Sequence, residues 1–139
     1  MKVLLVNGSP HKQGCTYTAL NEVAKSLNEN DIDTKIFWIG NKPIGGCIAC
    51  KSCVTKGKCI FNDIVNAFLD IAINYDCFNF GTPVHWEAMA GNMASFMDRV
   101  FYADFCSNKQ SFLLRLFQFT RSQPERFAAY FIYFHFPYF

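Results

Sequence analysis

Four consecutive apolar residues, Val3 to Val6, run straight into the small-residue loop NGSPHKQGCT, and no other feature restricts the possible folds of this chain as much. Successive side chains of a strand point to opposite faces, so an unbroken apolar run needs cover on both sides, as in a parallel sheet wrapped by helices. From Thr16 the apolar positions Leu20, Val23, Ala24 and Leu27 recur at helical spacing until NEND breaks the pattern. TKIFWIG, from Thr34, predicts a second strand closed by Gly40. Asp63 opens a helix with Ile64, Phe68 and Ala72 on one face and Val65 and Leu69 beside them. YDCFNFGTPV predicts a third strand, and Met93, Phe96, Met97, Val100 and Phe101 mark a helix opening near Gly91. At 139 residues the chain is expected to form one α/β domain with a doubly wound parallel sheet.

The pattern changes near the end. Ten of the sixteen Phe residues lie after Val100, and RFAAYFIYFHFPYF follows neither a strand nor a helix period. It contains no run of Val or Ile that suggests another buried parallel strand. The expectation is a domain over residues 1–114 that lacks its C-terminal strands, followed by an atypical aromatic tail, 115–139. A shifted reading frame or a truncation is favoured for that tail over an unusual aromatic helix or strand, because local and global patterns disagree there.

Charge excludes some partners. The net charge of +2 is spread along the chain, so no basic stripe suits nucleic acid. The apolar run after Met1 is far short of a signal peptide or a membrane span, which makes the cytoplasm the expected compartment.

The loop after the first strand fits an anion. Unpaired amides and the positive end of the following helix face it, and Ser9 and Thr16 add short neutral donors, with His11 and Lys12 nearby. It is neither a Walker A loop nor GxGxxG, and no acidic residue ends the second strand to hold a ribose. The loop therefore suits a mononucleotide phosphate better than a pyrophosphate. An ordinary turn with Thr16 as N-cap is the alternative. In GTPVHW, Pro83 stiffens a turn at the end of the third strand, while Val84 and Trp86 offer apolar surface for a flat ring.

GCIACKSCVTKGKC places Cys47, Cys50, Cys53 and Cys59 in a CxxCxxCxxxxxC pattern. Such thiolates can converge on one centre, and the compact spacing is unlike the two separated knuckles of a four-cysteine zinc site. A [4Fe-4S] cluster, a less favoured zinc site, a redox disulfide and uncommitted thiols stay open on spacing alone. Gly45, Gly46 and Gly57 are expected to give the loop its freedom to wrap, and Cys77 is expected to be a core residue.

KVLLVNGSPHKQGCT, GCIACKSCVTKGKC and FGTPVHWEAMAGNMASFMDRVF, in this order from Met1 to about Tyr102, resemble the NADPH-dependent FMN reductase and iron-sulfur flavoprotein family of flavodoxin-like fold. The resemblance implies FMN, with its phosphate held by Ser9, His11, Gln13, Cys15 and Thr16 and its ring by Thr82, Pro83, Val84, His85 and Trp86. It implies Cys47, Cys50, Cys53 and Cys59 as ligands of a [4Fe-4S] cluster, NAD(P)H as co-substrate, a small-molecule electron acceptor, and a homo-oligomer. His11 stands where the family often has Arg and Cys15 where it often has Asn, which removes a bidentate cation from the phosphate. A non-enzymatic electron carrier, a cofactor-free remnant and a thiol metal-binding module are the other functions this sequence admits.

Overall fold

A computed structural model describes residues 1–106 and the strand at 131–135. The elements are β1 (Lys2–Asn7), α1 (Cys15–Asn28), β2 (Asp33–Trp38), α2 (Ser52–Lys56), α3 (Ile64–Ala72), β3 (Cys77–Val84), α4 (Gly91–Cys106) and β4 (Phe131–His135). The strands form one parallel sheet in the order β2-β1-β3-β4.

Alternation along β1 explains the two layers. Val3 and Leu5 pack with Leu20 and Ala24 of α1 on one face. Leu4 and Val6 pack on the other face with Val65 and Phe68 of α3 and with Met93, Phe96 and Val100 of α4. The fold is thus the flavodoxin-like, doubly wound α/β sheet expected from the apolar run. Cys77, expected in the core, is only partly buried and packs at the margin of the α1 layer.

Beyond Leu114 the structure corrects one expectation. Phe131–His135 adds a fourth strand, pairing Phe80 with Phe131 through to Val84 with His135. Parallel pairing is a backbone interaction, and Phe, Ile and Tyr favour strands as Val does, so the missing Val/Ile run did not prevent it. The boundary at residue 114 and the shifted-frame reading of the tail fall largely on 107–130 and 136–139, which lie outside the described residues. No fifth strand occurs among the described residues. None of their helices is long and apolar enough to cross a membrane.

Candidate functional site

Two loops leave the same edge of the sheet side by side. Asn7 is in register with Gly81, and the Gly8 amide donates to the Gly81 carbonyl at 2.8 Å. A Cβ on Gly8 would lie 3.2 Å from that carbonyl and 2.5 Å from the Met93 methyl, so any larger residue would have to displace the Met93 side chain and crowd β3. Strand order reverses between β1 and β3, and open α/β sheets take ligands beyond the carboxyl ends of strands at such a point.

Asn7, fully buried, shapes the first loop. Its Oδ1 accepts from the Ser9 amide at 3.0 Å, and its Nδ2 donates to the Lys12 carbonyl at 3.2 Å. The His11 amide then donates to Ser9 Oγ at 3.2 Å. Trp38, at the end of β2, closes the loop from the far side by donating Nε1–H to the Ser9 carbonyl at 2.8 Å. Sequence reasoning missed both Asn7 and Trp38. Asn directly before Gly-Ser at a strand end was a readable turn signal for the first, whereas nothing local pointed to the second.

Helix α1 starts without a side-chain cap. Gly14 is its N-cap residue, and Thr16 lies buried in the first turn, which removes the reading of Thr16 as a simple cap. Ser9 is also buried, while His11, Gln13 and Cys15 are exposed around the loop. The first-turn amides, two buried hydroxyl side chains and an exposed rim therefore surround one loop.

In the second loop Thr82 is buried and serves the backbone. Its hydroxyl donates to the Pro83 carbonyl at 3.1 Å and accepts from the Ala90 amide at 3.2 Å. Val84 bridges Met89, so residues 85–88 form a projecting tip, with Glu87 in the left-handed region at φ 51°. His85 is exposed on this tip and Trp86 is 78% exposed, an unusual amount of aromatic surface left facing outward.

The cysteine segment wraps only in part by the expected device, since of the three glycines Gly57 alone makes a left-handed turn. Gly45 and Gly46 do not use positive φ; Ala49 at 54°, Lys51 at 58° and Gly57 at 67° make the left-handed turns. Non-glycine residues in that region carry strain of about 1–2 kcal/mol each. Cys47, Cys50, Cys53 and Cys59 all line one pocket, together with Phe61, Arg99 and Tyr102. Among the described residues, no three His, Cys, Asp or Glu side chains stand close enough to share a metal ion.

Helices α3 and α4 hold both ends of this segment. Asn92 Nδ2 donates to the Lys42 carbonyl, Asn92 Oδ1 accepts from the Ile44 amide, and Asp98 Oδ2 accepts from the Cys47 amide at 2.9 Å. Asn66 Oδ1 accepts from the Cys59 amide, and its Nδ2 donates to the carbonyls of Cys59 and Phe61. Arg99, with a side chain 1% exposed, pairs with Asp63 and donates to Cys59 Sγ. Burial works against its charge, but the bonds to Asp63 and Cys59 outweigh that and raise its pKa. Sequence reasoning also missed Arg99, Asn66 and Asp98. The available signal was an arginine inside the apolar stripe of α4, between Phe96 and Ala103.

Burial separates the thiols. It pushes the Cys53 thiol pKa up, with the neighbouring Cys106, Cys47 and Cys59 adding to the rise, and it pushes Cys77 up as well. In the reduced, metal-free chain, exposed Cys15, Cys47 and Cys50 are expected to react with iodoacetamide first, and Cys53 and Cys77 last. Peptide mapping by mass spectrometry over a time course measures this order. Labelling of Cys53 as fast as Cys50 would refute the packing of the segment described above.

A family model described as NADPH-dependent FMN reductase matches residues 1–117. Two iron-sulfur flavoproteins of Methanocaldococcus jannaschii are 30% identical over 99 residues and 33% identical over 100, covering 71% of this chain in each case and 51% and 50% of those proteins. An iron-sulfur flavoprotein of Clostridioides difficile is 33% identical over 102 residues, 71% of this chain and 45% of that protein. The chain spans about half the length of the curated relatives it matches. With the switch-point loops and the doubly wound sheet in agreement with that match, the chain belongs to the NADPH-dependent FMN reductase family.

Proposed function

We propose that this chain supplies the FMN-binding part of an oxidoreductase that takes electrons from NAD(P)H and passes them to a small-molecule acceptor. The observation that carries the reading is the pair of loops emerging together beyond β1 and β3. In this reading Ser9, Thr16 and the first-turn amides of α1 bind the phosphate dianion, with His11, Gln13 and Cys15 at its rim. Thr82 holds the second loop in shape, and Pro83, Val84, His85 and Trp86 lie against the ring. The exposed face of Trp86 is then covered by flavin or by a second copy of the chain.

The thiol pocket suits an iron-sulfur cluster by its donor set: four cysteines among its lining residues, apolar neighbours, and a cation directed at one sulfur. Cys47, Cys50, Cys53 and Cys59 would hold a [4Fe-4S] cluster, and the names of the relatives support this assignment. FMN, when bound, accepts two electrons as hydride and releases them singly, and a cluster carries one at a time.

The test is anaerobic purification followed by flavin, iron and sulfide analysis and by assays of NADPH and NADH oxidation. One FMN per chain and NAD(P)H-dependent turnover are expected. Flavin without turnover would leave an electron carrier, and a colourless chain that ignores added FMN would overturn the reading. Ser9→Ala and Thr16→Val are each expected to weaken FMN binding by about tenfold or more, the usual effect of losing a hydrogen bond to a charged group. Fluorescence titration of FMN measures this.

A further inference from the structure

The Arg99 guanidinium has five N–H donors, and all five are committed. Nη1 and Nη2 donate to Asp63 Oδ2 and Oδ1 at 2.7 and 2.9 Å, and Nη1 also donates to the Gly45 carbonyl at 3.3 Å. The two remaining donors, Nε and Nη2, both reach Cys59 Sγ at 3.2 Å. Phe61 lies against the guanidinium, with its ring centroid 4.9 Å away. The buried cation is therefore locked on one edge by a carboxylate and presents its other edge to a single sulfur. Asn66 fixes the backbone of the same cysteine at both its amide and its carbonyl. Cys59 is held at three points, whereas Cys47 and Cys50 are exposed.

We propose that Arg99 is a positioning residue for the iron-sulfur centre: it fixes the Cys59 sulfur before the centre is assembled and, by donating two charge-assisted hydrogen bonds to that ligand, raises the centre's reduction potential. The inference rests on the cluster reading given above. Hydrogen bonds to ligating sulfurs and the local charge are among the factors that set such potentials, because they stabilise the more negative, reduced form. Arginine meets this need better than lysine, since only a planar fork can face Asp63 and the sulfur at once.

The experiment compares wild type, Arg99→Lys and Arg99→Gln after anaerobic reconstitution, with FMN affinity as the check on folding. The variants are expected to bind FMN as wild type does, to show a more negative cluster midpoint in dye-mediated titration, largest for Gln, and to lose iron to a chelator about tenfold faster or more. Unchanged midpoint and unchanged iron loss in variants that bind FMN would overturn the inference while leaving the cluster reading intact. Should neither variant fold, wild type labelled with 15N-arginine carries the test. Pulsed EPR of its reduced cluster is expected to show a coupled nitrogen, and absence of that coupling in a fully loaded sample overturns the proposal. Wild type that binds FMN and takes up no iron overturns the cluster reading and this inference with it.

Discussion

Phe68→Ala is expected to lower the unfolding free energy by about 3–5 kcal/mol, the usual range for truncating a fully buried aromatic ring. Phe68 is 0% exposed and joins separate elements: its ring lies 5.5 Å from Phe37 of β2, 5.7 Å from Phe78 of β3 and 5.1 Å from Phe96 of α4. The contacts with Phe37 and Phe96 are edge-on, an arrangement that adds to simple burial. The resulting cavity would open beneath α3 and α4, the two helices that hold the cysteine segment. Because domains of this kind are stable by only about 5–15 kcal/mol, the variant is expected to be marginal. Urea unfolding should show a lower midpoint with an unchanged slope. Phe68→Leu should lose much less, since it leaves a smaller void. A Phe68→Ala loss under about 1 kcal/mol would mean that the four-ring cluster does not organise this core.

The parts of the fold that were legible in the sequence share one property: their signal is local. Val3–Val6 required cover on both faces whatever its neighbours, and the structure places α1 on one side and α3 and α4 on the other. Asp63 was readable as a helix start because an N-cap depends on the amides two or three residues ahead; its side chain accepts from the Val65 amide. Helix α2 is only five residues long, too short for a periodic pattern to register, and β4 is mostly aromatic, with a strand preference that depends on a neighbouring strand. The partners of Arg99 were beyond reach for a different reason. Cys59 and Asp63 lie 40 and 36 positions away, so nothing near Arg99 in sequence shows that its charge is answered. The glycines misled in the opposite direction. Freedom at Gly45, Gly46 and Gly57 was readable, but only Gly57 takes a positive φ, and the other left-handed turns of the loop fall at Ala49 and Lys51.

The second large effect concerns the ion pair between α3 and α4. Asp63→Ala is expected to cost about 3–5 kcal/mol, toward the lower end because the Asp63 side chain is 34% exposed while that of Arg99 is 1% exposed. Most of that cost is the orphaned guanidinium, which would keep its charge with one edge facing no carboxylate. A further ~1 kcal/mol comes from the lost cap on α3. Asn at the same position can still accept from the Val65 amide, so Asp63→Asn should recover the cap portion and leave the charge portion unpaid. Arg99→Met then separates the two explanations of the pair. If the penalty lies in an unpaired buried charge, the double variant Asp63→Ala/Arg99→Met is expected to be more stable than Asp63→Ala alone, because an apolar side chain of similar length needs no partner there. Paired urea melts on the four forms give the coupling free energy directly. A double variant whose loss equals the sum of the two single losses would show that Asp63 and Arg99 act independently, and that the α3–α4 contact depends on its apolar residues alone.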